Sequence, residues 1–162
     1  MSEELPSLPQ EKLRELQAKV NLTPDEKELL TYLQGLKAQY DDNDAKSAKM
    51  NEIFPNGGRR PFGAYYDLKG KQIGMWEWSE LQHTHKIIAR SEMCGYLVST
   101  VYLGIDHGFN DEEPPLIFET MVFGQDERTE KTDLHNYQYR YFTLEEAKEG
   151  HQEICKMVMS SA

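Results

Sequence analysis

Three features of the sequence predict an α+β protein. Leucines recur at helical spacing near the N-terminus, apolar and polar residues alternate in short runs after residue 64, and two Thr-x-x-Glu helix starts stand at Thr23 and Thr143. The expected order is an N-terminal helical hairpin, then a mainly antiparallel sheet in the order ββαββββα, closing on a C-terminal helix.

The first helix begins near Gln10 and carries Leu13, Leu16 and Val20 on one side until Asn21 breaks the pattern. The second starts at Thr23, where Pro24 suits the first helical position and Glu26 completes a capping box. Leu29, Leu33, Leu36 and Tyr40 then form an apolar stripe, so residues 10–41 read as a hairpin. That stripe packs either on the rest of the chain or on a second copy, which would make a homo-oligomer through the N-terminal helices. Residues 41–63 are polar and end in Pro55, Gly57, Gly58, Pro61 and Gly63. They read as a linker with one helical turn around 45–53, dividing the chain into 1–63 and 64–162. Arg59-Arg60 reads as a solvated pair within that linker.

Residues 65–73 read as a hairpin turning at Gly70, and residues 75–82 as a short helix with Met75, Trp78 and Leu81 on one side. Strands over 85–93 and 96–105 meet at Cys94-Gly95. The second is apolar on both faces, as a central strand is. Further strands over 116–123 and 137–142 flank an acidic loop. Thr143 and Glu146 open the last helix, with Ala147, Ile154, Met157 and Val158 on its buried side.

A chain of 162 residues fits one domain with an extension. Its two cysteines, Cys94 and Cys155, have no disulfide-framework or zinc-module spacing. No secretory leader and no run of about 18 apolar residues appears, so a cytoplasmic protein without membrane association is expected. The formal charge of −10 argues against direct nucleic-acid binding. Most of the excess lies late: between Asp106 and Asp133 nine carboxylates face only Arg128 and Lys131.

That acidic stretch supplies the candidate partner-binding residues: Asp106, Asp111, Glu112, Glu113, Asp126, Glu127 and Glu130. Their partner should be a protein with a basic surface. Glu119 sits inside an apolar run and calls for a cation, Arg90 or Arg140, or else a raised pKa suited to proton transfer. Asp106-His107 could form an acid–base pair at the end of a strand, though Asp there is more often a turn former. His83 with His85, and His151 with Cys155, stand at two-ligand spacings, but no third ligand follows; neither a metal nor a cofactor is expected. No GxSxG, P-loop, GxGxxG, HExxH or EF-hand pattern occurs, which turns the reading away from an enzyme.

The strings Val98-Ser99-Thr100-Val101, Leu103-Gly104 and Asp106-His107, followed by Pro115-Leu116-Ile117-Phe118-Glu119-Thr120-Met121-Val122-Phe123, resemble a family of small uncharacterised proteins encoded by bacteriophages and prophages. Tyr65-Tyr66-Asp67, Glu77-Trp78 and the closing Tyr141-Phe142-Thr143 extend the resemblance over about residues 64–158, while the loop over 125–136 is longer here. The resemblance implies a phage or mobile-element setting and, for such a chain, the host cytoplasm. The resulting expectation is a non-enzymatic accessory protein that binds a host or phage protein, such as an inhibitor of a nucleic-acid-handling defence system of the anti-CRISPR kind. The alternatives are a small enzyme or ligand-binding domain using Asp106, His107 and Glu119 with Arg90, and a virion or assembly component.

Overall fold

A computed structural model describes residues 9–53, 64–108 and 112–161. The chain is an α+β fold. Its described elements are α1 (Pro9–Ala18), α2 (Pro24–Ile53), β1 (Tyr65–Tyr66), β2 (Gln72–Ile73), α3 (Met75–Thr84), β3 (Ile87–Met93), β4 (Tyr96–Tyr102), β5 (Phe118–Gly124), β6 (Gln138–Tyr141) and α4 (Leu144–Ser161), with one 3₁₀ turn at Thr129–Lys131. After the helical hairpin this is the expected ββαββββα order. The strands form two antiparallel sheets: the pair β1–β2, and a meander in the order β3-β4-β5-β6.

Local chemistry explains the main boundaries. The Thr23 hydroxyl accepts the Glu26 N–H at 3.3 Å while Glu26 accepts the Thr23 N–H at 2.9 Å, the reciprocal capping box that starts α2. Thr143 and Glu146 repeat it at the start of α4, at 3.1 and 3.2 Å. Cys94 and Gly95 both take positive φ, 53° and 82°, which matches the twist of the β3–β4 hairpin they close.

The helices differ from expectation at two places. α1 stops at Ala18, leaving Val20 94% exposed instead of on the buried side. α2 runs unbroken to Ile53, so residues 41–53 are helix and not linker. Its polar second half is supported by the Lys37–Asp41 and Asp42–Lys46 ion pairs at i,i+4 spacing. Asp44 also accepts the Met75 N–H at 2.9 Å, tying α2 to the first turn of α3. Residues 54–63, with Arg59-Arg60, lie outside the described residues.

The helical hairpin docks on its own chain. Leu13, Leu16 and Leu33 bury around Trp76 of α3, with Leu36 and Tyr40 packed against them. Gln10 donates to the Trp76 carbonyl at 3.2 Å, and Arg14 pairs with Glu80 at 2.7 Å. The opposite side of α3 serves the sheet: Trp78 Nε1 donates to the Leu103 carbonyl at 2.9 Å, and Trp78 and Leu81 pack on the main core.

The four-stranded sheet is covered on one face. Burial along β4 alternates, with Tyr96, Val98, Thr100 and Tyr102 buried and Leu97, Ser99 and Val101 only half-buried. α4 lies on the first set, joining Tyr102, Phe118, Tyr141 and Ala147 at one end and Tyr96, Val98, Val122, Ile154 and Val158 at the other. β4 is therefore interior in the sheet order, but its second face is not sealed as a two-sided central strand would be. Leu103 and Ile105, expected within that strand, lie beyond its end.

Candidate functional site

The two acidic loops do not form one cluster. The loop at 106–117 leaves the C-terminal end of β4, and that at 125–137 leaves the C-terminal end of β5, which is antiparallel to it. Seven residues of strand separate them, about 20 Å. In the first loop Asp106 is occupied locally, accepting the N–H groups of Gly108 at 2.8 Å and Leu116 at 2.9 Å. Glu112 and Glu113 are exposed, and Asp111 lies outside the described residues. In the second, Asp126 accepts the N–H groups of Thr129 and Arg128 at 2.8 and 3.0 Å and the Thr129 hydroxyl at 2.9 Å. These bonds, led by the Thr129 N–H, hold its carboxyl below the usual carboxylate range. Glu127 and Glu130 are exposed beside it.

Glu119 finds its cation across the strand pair. Arg140 Nε donates to Glu119 Oε2 at 2.8 Å, in register on β5 and β6, with Glu119 8% exposed. Arg90 faces Ser99 on β3 and pairs instead with Glu92 at 3.3 Å, so it belongs to a separate exposed contact. Asp106 and Glu119 are thus engaged in different interactions. His107 uses its backbone N–H on the Leu116 carbonyl, 3.1 Å away.

Between the two ends of the α4 interface runs a buried polar chain that the sequence did not advertise. Ser91 Oγ lies 2.9 Å from His151 Nε2, His151 Nδ1 lies 2.8 Å from Thr100 Oγ1, and Thr100 lies 2.6 Å from Thr120 Oγ1. Burial pushes the His151 pKa down. A serine against a histidine is the contact of a nucleophile and its base. Here, however, the chain continues to two fully buried threonines, and the ring is 6% exposed. Its evident work is to satisfy polar groups inside the core.

The margin of the sheet at β6 has a different character. Tyr137, Tyr139 and Tyr141 alternate along it on the α4 side, and Tyr137 and Tyr139 are 37% and 56% exposed. Two adjoining hollows of about 320 and 270 Å³ lie there and share Tyr139, Tyr141, Gly150 and Glu153. The first is closed by Ile154 and Met157, the second by Glu146 and Glu149. Gly150 permits the close approach of Tyr141, since a β-carbon there would run into the ring. The Tyr141 hydroxyl is buried near the Thr120 hydroxyl, which also engages Thr100. Burial raises the Tyr141 pKa.

Among the described residues no group of three or more His, Cys, Asp or Glu side chains could hold a metal ion, and no helix is long and apolar enough to cross a membrane. Comparison with protein-family models, with curated proteins and with solved structures found no match.

Proposed function

We propose that this chain is a non-enzymatic binding protein whose partner is a protein with a basic surface. The observation that carries the reading is the division of labour among the loop carboxylates. Asp106 and Asp126 are consumed by holding their own loops, while Glu113, Glu127 and Glu130 stand exposed at the ends of the sheet. Exposed like charge contributes self-repulsion and nothing to folding, a cost that steering a basic partner offsets.

The resemblance of residues 64–158 to phage and prophage proteins gives the partner a class: a host or phage protein, with a nucleic-acid-handling defence system as the specific proposal. A protein that binds nucleic acid carries the basic groove that an acidic chain would occupy. Such a chain would act in the host cytoplasm.

The test is association kinetics with a partner captured from host lysate. Reversing Glu112, Glu113, Glu127 and Glu130 to lysine should slow association about tenfold or more, and rising salt should slow the wild type in the same way. An unchanged on-rate with no salt dependence would reduce these side chains to solubility features and remove the basis of the proposal.

A further inference from the structure

Resting on the reading of a basic partner, we infer that the groove between β6 and α4 is an arginine-binding cleft. It takes an arginine from an extended basic segment of the partner protein, held between the ladder Tyr137, Tyr139, Tyr141 and the carboxylates Glu149 and Glu153.

The cleft exists because α4 packs chiefly over β3, β4 and β5 and leaves the β6 margin thinly covered. Two aromatic rings, Tyr137 and Tyr139, are therefore partly in solvent, while Tyr141 is buried beneath them. Tyr139 and Tyr141 lie with ring centroids 5.1 Å apart and planes 50° to one another, so they present adjoining faces and not a closed stack. Those faces attract cations. Glu146, Glu149 and Glu153 follow one flank of α4 at i, i+3 and i+7 and face the same space. Arg140 borders the second hollow, but its Nε is committed to Glu119.

The Tyr141 ring sits tightly against Gly150, where a β-carbon would collide with it, so the floor of the cleft is held rigidly in place. Arginine meets every requirement of the cleft together: a planar cation that stacks on tyrosine, donors for a carboxylate, and an apolar stem to lie on Ile154 and Met157. Lysine offers a point charge without the stacking plane. β6 is also an edge strand of the sheet, so an extended segment lying along it can pair with its open backbone.

The experiment is calorimetric titration of the full chain with a short arginine-rich peptide and with its lysine counterpart, at about 0.15 M salt. Tyr139→Ala and Glu153→Gln, both at exposed positions, should each weaken arginine-peptide binding roughly tenfold while leaving the melting temperature unchanged. Tyr139→Phe should bind like the wild type, because the ring face is kept. The lysine peptide should bind more weakly than the arginine peptide. Unchanged binding in Tyr139→Ala and Glu153→Gln would overturn the cleft. If Glu127→Gln with Glu130→Gln weakened binding instead, the cleft would fall while the basic-partner reading stood; if the wild type bound neither peptide, both would fall.

Discussion

The two faces of the four-stranded sheet are built from similar residues and have different fates. On the inner face Val98, Tyr102, Phe118 and Val122 are fully buried beneath α4. On the outer face Leu97, Val101, Met121 and Phe123 are only half-buried, and the single deep charge, Glu119, is neutralised by Arg140. β-Branched and aromatic residues suit both faces of a strand, so composition alone cannot tell which one a helix will cover. The inner face itself then divides, sealed over β4 and β5 and open along Tyr137 and Tyr139 at the β6 margin. Stability is concentrated where α4 closes the sheet, and the proposed binding cleft lies where it does not.

Substitutions separate these regions, the largest effect coming from the sealed one. Val98→Asp places an unpaired carboxylate under α4 and should abolish the cooperative melt, a loss of several kcal/mol. Val101→Asp, three positions on but facing outward, should keep that melt and lose about 1–2 kcal/mol in urea unfolding. Equal losses would erase the distinction between the faces. Gly150→Ala drives a methyl group into the Tyr141 ring at the boundary between sealed and open zones. It should cost about 1–3 kcal/mol by the same measurement; a neutral result would mean that the ring is free to move aside.

A smaller effect comes from His151. Its folded pKa lies below the unfolded value of about 6.5, so the unfolded chain binds more protons as pH falls. The His151 contribution to stability is therefore complete above about pH 6.5 and declines below it, by at most about 1.4 kcal/mol per pH unit. His151→Gln should be less sensitive between about pH 6.5 and 5 than the wild type. An identical pH profile would show that the ring is not held neutral. Arg140→Gln, on the outer face, should cost about 1 kcal/mol by leaving Glu119 without its cation. A loss as large as that of Val98→Asp would place the outer face among the sealed elements.

Much of this architecture was legible in the sequence because it rests on local chemistry. The Thr23 and Thr143 capping boxes, the Cys94-Gly95 turn and the ββαββββα order depend on residues close together in the chain. The length of α2 was hidden because its second half has no apolar stripe; ion pairs and the Asp44 contact with Met75 sustain it. Trp76 was missed as an anchor because α3 buries two sides, one toward the hairpin and one toward the sheet. The strand over 116–123 between the two acidic loops was legible, but their separation at opposite ends of the sheet follows from the antiparallel pairing of β4 and β5. Alternation of Tyr137, Tyr139 and Tyr141 was visible, but the cleft beside them depends on where α4 crosses the sheet, which no local pattern specifies.

The most direct test of this division is an NMR titration of the full chain with the arginine-rich peptide, following backbone amides across the sheet and α4. Shifts should concentrate at residues 137–141 and 149–157, with Leu97, Val101, Met121 and Phe123 unmoved. Shifts centred on those four residues, or on the loop at 125–133, would place the binding surface elsewhere and contradict that division.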